Sequence, residues 1–185
     1  MTEARSLYQL ADRIAELLLA RSLTLILAES CTAGLIAATL GSVPGISRVL
    51  AGSAVVYQLK TKSQWLGIDE KLLDDPGPVS EVVAVKMAES VFRMTPHAQI
   101  ALSITGHLGP DAPEGLDGVA YTAVSRRDGS TRCRKLLLQY DPGHLSEPQN
   151  GPAAENHSPR VLRQRNAVQQ CLEFLESVLL DDDLA

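Results

Sequence analysis

The stretch Thr24-Leu25-Ile26-Leu27-Ala28-Glu29-Ser30-Cys31-Thr32-Ala33-Gly34 constrains the fold of this chain more than any other. An apolar run stops abruptly at small polar residues, and the alanine-rich segment Leu35-Ile36-Ala37-Ala38-Thr39-Leu40 follows at once. This pattern predicts a buried strand, a tight turn and a helix that starts near Thr32. Such a junction holds side chains at the carboxyl end of a strand, where open α/β sheets place ligands. It also points the free N–H groups of the first helical turn at the same spot, which favours anions. Ser30 therefore stands where a nucleophile would sit. A hydroxyl at Ser30 or Thr32 also fits a plain helix cap, and position alone leaves both readings open.

The remaining pattern intermingles helices and strands along one domain, residues 1–185. Leu7, Leu10, Ala11, Ile14, Leu17 and Leu18 recur at helical spacing within 3–21. Strands are expected over 23–28, 49–57, 99–105 and 118–125. Arg126-Arg127-Asp128-Gly129-Ser130 then forms a hairpin turn into a last strand over 132–140. A short helix is expected around Trp65 and Leu66, and a longer one after Ser80 as its cap. Residues 141–159 are rich in proline and small polar residues and read as a solvated, mobile excursion. A closing helix over 161–180 follows. The hairpin requires an antiparallel pair, so the expected fold is α/β: a three-layer α/β/α sandwich around a mixed, mostly parallel sheet.

Charge and cysteine usage narrow the function. The formal net charge is -5, with no basic stripe, which argues against general nucleic-acid binding. No apolar run is long enough to span a bilayer, so no membrane partner is expected. The N-terminal Met1-Thr2-Glu3-Ala4-Arg5 does not resemble a signal peptide. Cys31, Cys133 and Cys171 form neither a disulfide framework nor a zinc pattern, and a reducing cytoplasm is the expected location. Cys31 is either a reactive thiol at a helix start or a small buried filler.

Three strand exits carry unusual polar residues: Ser30-Cys31-Thr32, Tyr57 through Lys62, and Thr105-Gly106 through Asp111. If these strands are parallel neighbours, the exits converge on one edge. A serine needs a base to attack at neutral pH, and a desolvated lysine can serve as one. Ala33 stands where a local Ser-x-x-Lys pattern would place its lysine, so any pairing with Lys60 or Lys62 must be spatial. Either lysine also fits an ordinary solvated surface position. The glycines of 106–111 permit close backbone approach to a phosphate or an amide, or simply a tight connection. His107 has no second ligand at metal spacing, so no metal is expected. Glu29 is placed to orient the turn by hydrogen bonding or to contact Lys62.

Taken together these residues resemble a known family. Ala28 through Gly34 is similar to the AESCTGG motif of the CinA C-terminal domain family, whose studied members are nicotinamide-nucleotide amidohydrolases. Val55-Val56-Tyr57, Lys62 and Leu66-Gly67 resemble the family's V-x-Y-S-N-x-x-K…L-G-V stretch. Gly77-Pro78-Val79-Ser80-Glu81 resembles G-A-V-S-E. Thr105-Gly106, Gly109-Pro110-Asp111 and Gly118-Val119-Ala120-Tyr121 resemble TGIAGPDGG and the strand after it. The resemblance implies an α/β/α domain that hydrolyses nicotinamide mononucleotide to nicotinate mononucleotide and ammonia. It implies Ser30 as nucleophile, Lys62 as general base and Tyr57 as an aid to proton transfer or positioning. It further implies Glu29, Cys31, Thr32, Thr105, Gly106, Gly109, Asp111 and Arg165 as substrate-binding positions. No cofactor is expected; a small-molecule nucleotide substrate and a homo-oligomer are. The domain that precedes this one in full-length CinA proteins is not expected, because the chain starts close to the motif.

Four departures fall at the inferred pocket. Ala33 replaces a glycine, Gln58-Leu59 replace Ser-Asn, His107-Leu108 replace Ile-Ala, and Ala112-Pro113 replace Gly-Gly. Bulk at 107 and 108 is expected to narrow or re-aim the cavity. Two other functions accordingly stand beside the first: a Ser–Lys hydrolase of a different amide, and a non-catalytic protein that binds a ligand or partner in competence or DNA-damage responses.

Overall fold

A computed structural model describes residues 5–139 and 158–181. Most of the excursion expected over 141–159 lies outside the described residues. Five strands form one mixed sheet: β1 (Leu25–Glu29), β2 (Leu50–Val55), β3 (Ile100–Gly106), β4 (Val119–Arg126) and β5 (Thr131–Leu137), in the order β2-β1-β3-β4-β5. β1 pairs in parallel with both β2 and β3, and β4 runs antiparallel to β3 and β5. Four of the five strands thus point one way.

The interior strand β1 is buried on both faces, which is why it reads as a continuous apolar run and not as an alternation. Leu25 and Leu27 face a core built with α1 (Leu7–Ala20), α2 (Leu35–Gly41) and α6 (Pro159–Asp181). Ile26 and Ala28 face the opposite core, which holds Val83 and Met87 of α5 (Glu81–Val91) and Leu66 of α3 (Leu59–Leu66). A five-residue helix, α4 (Glu70–Asp74), had no counterpart in the sequence pattern; Asp69 caps it by accepting from the Lys71 N–H. Much of the polar stretch after Tyr57 belongs to α3, because its only deeply buried residues are Lys62 and Leu66, one turn apart. Ser80 occupies the cap position of α5, yet its hydroxyl donates to the Gly77 carbonyl and leaves the helix N–H groups alone.

Parallel register brings the strand exits together. Glu29 lies opposite Val55 on β2 and Ile104 on β3. The ladder continues one step further, with the Ser30 N–H donating to Ile104 and the Val56 N–H donating to Glu29. On the other side of β3, a Cβ at Gly106 would lie 2.5 Å from the Ala120 Cβ, so only glycine permits this approach of β4.

The turn after β1 differs from the expected cap. α2 begins at Leu35, not near Thr32, because Ala33 (φ 53°) and Gly34 (φ 94°) both take left-handed backbone first. Neither Ser30 nor Thr32 caps the helix. Glu29 does so from the strand: Oε2 accepts from the Thr32 hydroxyl (2.7 Å) and the N–H groups of Gly34 (3.0 Å) and Ile36 (3.1 Å). Its Oε1 accepts from the Ala37 N–H (2.9 Å) and the Ser53 hydroxyl (3.0 Å). A fully buried carboxylate is tolerable only with such a set of donors, and the start of a helix adds favourable potential. Glu29→Gln places an N–H among these donors. It is expected to cost about 2–3 kcal/mol, read as a fall of about 4–12 °C in the thermal midpoint.

Candidate active site

Three strand exits meet where the sequence pattern placed them, and two side chains touch there. Lys62, on the inward face of α3, is only 2% exposed. Its Nζ donates to Ser30 Oγ at 2.7 Å and to the Val56 carbonyl at 2.8 Å, with the Tyr57 carbonyl at 3.5 Å. The α3 start sets this geometry: β2 ends, the chain turns at Tyr57-Gln58, and one helical turn returns Lys62 under the strand end. Lys60 lies exposed on the outer side of the same helix.

The chemistry of the pair follows from burial. Desolvation disfavours the ammonium and pulls the Lys62 pKa from 10.5 down to about 8, and among the described residues no carboxylate contacts the amine to offset this. Glu29 does not reach it; both its oxygens are engaged by the turn and by Ser53. An appreciable share of Lys62 is therefore a free amine near neutral pH, in contact with a hydroxyl whose proton it can accept. Cys31 beside it is inert: burial drives its thiol pKa to about 12, although Lys62 and Arg160 pull the other way.

The other implied positions divide. Tyr57 is half exposed, and its phenol accepts from Arg160 instead of facing the Ser30–Lys62 pair; what Tyr57 offers the amine is its backbone carbonyl. Gly109 lies at the rim, its carbonyl accepting from Arg160 at 2.6 Å. Asp111 is exposed in left-handed backbone. Glu29, Thr32 and Thr105 keep their side chains inside the framework. All three are buried; the Thr32 hydroxyl is bound to Glu29, and the Thr105 hydroxyl donates to the Pro78 carbonyl. Their side chains hold the framework and present nothing to a ligand. Gly106 acts likewise through the close β3–β4 approach. Arg165 lies exposed on α6, next in sequence to Gln164.

One face of α6 carries residues the sequence reading missed. Arg160 reaches Tyr57 and Gly109; Arg163 donates to both Asp117 oxygens at 2.7 Å and to the Leu108 carbonyl at 3.2 Å; Gln164 donates to the Thr32 carbonyl at 2.9 Å and the Cys31 carbonyl at 3.4 Å. Spacings of three and four residues put all three on one side of a helix. The signal was Pro159, a residue favoured in the first helical turn, which starts α6 early enough to include Arg160. Leu108 is a further correction. It is packed in the α1–α6 core and does not narrow the cavity.

Among the described residues no group of three His, Cys, Asp or Glu is placed to hold a metal, and no helix is long and apolar enough to cross a membrane. Two cavities of about 310 Å³ lie along α5, one around Asp69, Lys86 and Arg93, the other around Phe92 and Arg127. Neither includes Ser30 or Lys62, and Lys86 and Glu89 of the first are ion-paired with each other.

The lowered Lys62 pKa makes a stability prediction. Between about pH 8 and 10.5 the unfolded chain keeps a proton that the native amine has shed, so native stability rises with pH across this window. The full gain is on the order of 3 kcal/mol, and Lys62→Met lacks it. Denaturant midpoints of both proteins, taken from about pH 7 to about pH 10, should show wild type gaining on the variant above pH 8. A constant gap would contradict the assignment.

Comparison with known proteins is consistent with this geometry. The family model described as the CinA C-terminal domain matches residues 7–149. A CinA-like protein of Myxococcus xanthus is 40% identical over 143 residues, which cover 76% of this chain and 32% of that protein. The chain spans about a third of the length of the curated relatives it matches. The competence/damage inducible protein CihA of Agrobacterium tumefaciens superposes with a TM-score of 0.79 at 26% identity, covering 96% of this chain and 99% of that one. A CinA superfamily protein of Klebsiella pneumoniae, at 23% identity and a TM-score of 0.81 over 96% of this chain and 99% of that one, shares the fold. With a family model spanning most of its length, the chain belongs to the CinA C-terminal domain family.

Proposed function

We propose that this domain is an amidohydrolase that converts nicotinamide mononucleotide to nicotinate mononucleotide and ammonia by a Ser–Lys mechanism. One observation carries the reading: the buried Lys62 amine contacts the Ser30 hydroxyl at 2.7 Å and has a pKa near 8. A non-catalytic binding role needs no such contact and no desolvated amine.

In this mechanism the free Lys62 amine takes the Ser30 proton as Oγ forms a bond to the carboxamide carbon. The carbonyl electron pair moves to oxygen, and the N–H groups of Cys31 and Thr32 serve as its donors; among the described residues neither donates to a backbone carbonyl outside the helices and strands. The Lys62 ammonium then gives its proton to the leaving nitrogen, the C–N bond breaks, and ammonia departs from an acyl-Ser30. Water repeats the sequence, with Lys62 again as base, and releases the acid. Arg160, held at the rim by Gly109 and Tyr57, supplies the positive charge for the substrate phosphate in place of Arg165.

Ammonia release from nicotinamide mononucleotide by the purified protein tests this directly. Ser30→Ala and Lys62→Met are each expected to lose at least about a thousandfold in kcat. Because the base must be unprotonated, kcat/KM should fall about tenfold per pH unit below a midpoint near 8 and level off above it. Arg160→Gln should raise KM for the nucleotide while leaving kcat within a few-fold. Turnover surviving in Ser30→Ala would dismiss the mechanism.

A further inference from the structure

Gln164 stands outside any role assigned so far, yet it joins the start of α6 to the turn that carries the nucleophile. Residues 30–33 form a turn closed by the Ala33 N–H donating to the Ser30 carbonyl at 3.0 Å. Closing the turn fixes the 30–31 peptide through the Ser30 carbonyl. The carbonyl and N–H of a trans peptide point in opposite directions, so this also sets the direction of the Cys31 N–H. The central peptide, 31–32, is the unit whose tilt a turn of this kind leaves free. Thr32 is not among the residues with positive φ, so the flipped form is not adopted, and tilt is what remains to be set. Its carbonyl belongs to Cys31 and its N–H to Thr32.

Gln164 Nε2 is the donor on that Cys31 carbonyl, at 3.4 Å, and it also holds the next carbonyl, that of Thr32, at 2.9 Å. The Thr32 carbonyl has a second donor within the turn, the Leu35 N–H at 3.0 Å; among the described residues the Cys31 carbonyl has Gln164 alone. A donor drawing this carbonyl toward α6 turns the Thr32 N–H away from α6. We infer that Gln164 is a positioning residue: by holding the Cys31 carbonyl it aims the Thr32 N–H at the oxyanion that forms on attack by Ser30. The inference rests on the Ser30–Lys62 reading of the site but not on the identity of the amide. One of the two oxyanion donors is thus set by the local turn, and the other by a side chain 133 residues downstream of Cys31. Docking of α6 becomes a condition for transition-state stabilisation, while Lys62 and its proton affinity are untouched.

The test uses two readouts and three variants of the whole chain. Gln164→Leu removes the donor, Gln164→Glu faces two carbonyls with a carboxylate, and Gln164→Lys retains a donor. The first readout is ammonia release from nicotinamide mononucleotide. The second needs no substrate: the rate at which a fluorophosphonate labels Ser30, where an Oγ–P bond forms, fluoride leaves and Lys62 takes the hydroxyl proton. Loss of one oxyanion donor typically costs about a hundredfold or more. A mis-aimed donor should cost about tenfold in kcat and in labelling rate for Gln164→Leu. Gln164→Glu should lose more and Gln164→Lys recover most of the loss. KM and the pH midpoint near 8 should stay at their wild-type values. If Gln164→Leu labels at the wild-type rate, or if its KM or pH midpoint moves as much as its kcat, the inference is overturned. Labelling of wild type without ammonia release would reject the nucleotide substrate and leave Gln164 tested by the labelling series. Failure of wild type to label would overturn both. Should Gln164→Leu fail to fold, the contrast between Gln164→Lys and Gln164→Glu decides by the same readouts.

Discussion

An amine removed from water and laid against a hydroxyl is the interaction on which this structure turns. Burying Lys62 is unfavourable for folding, since the ammonium form loses hydration and gains only the Ser30 hydroxyl and two backbone carbonyls. Among the described residues no carboxylate stands beside it to restore the ordinary pKa. That missing partner is what makes the amine useful. A salt-bridged lysine at the same place would stabilise the fold more and would hold its proton too firmly to act as a base at neutral pH. The buried amine therefore lowers stability and remains able to accept a proton, as the proposed mechanism requires.

The opposite solution is found one residue away. Glu29 is buried just as completely, but it is surrounded by donors from the turn, from α2 and from Ser53 of β2. Those bonds lock the turn that follows. Adjacent residues at one strand end thus differ in what they hold: Glu29 braces the turn, and Ser30 accepts from the Lys62 amine. Cys31, between Ser30 and Thr32, is excluded from chemistry by the same burial that tunes Lys62, because burial raises a thiol pKa and lowers an amine pKa.

Two of the departures from the family pattern, Ala33 and Leu108, are accommodated by the structure. Ala33 takes a left-handed conformation where the family motif has glycine, a modest strain that the Glu29 hydrogen bonds to Thr32 and Gly34 can hold. Leu108 turns into the core that α1 and α6 share, so its bulk adds packing there. The loop from 106 to 117 is instead gripped from outside by Arg160 and Arg163, whose guanidinium groups hold the Leu108 and Gly109 carbonyls and the Asp117 carboxylate.

Sequence by itself determined the layer order, the buried first strand, the serine at its end and the lysine that keeps its spacing from Tyr57 and Gly67. Those features depend on short-range pattern: apolar runs, breaker residues and a motif within a few residues of one strand end. It also placed Ser30 and Lys62 at exits that converge only if β1 and β2 are parallel neighbours, which they are. What only the tertiary structure decided is which polar groups are consumed and which are presented. Glu29, Thr32 and Thr105 are as polar as Ser30 in the sequence, but their hydrogen bonds are already made inside the framework. Arg160 and Gln164 reach the site across more than a hundred residues, through the packing of α6 on α1 and the sheet. No local spacing encodes such contacts, because they depend on how two helical faces and a sheet edge come to rest against each other.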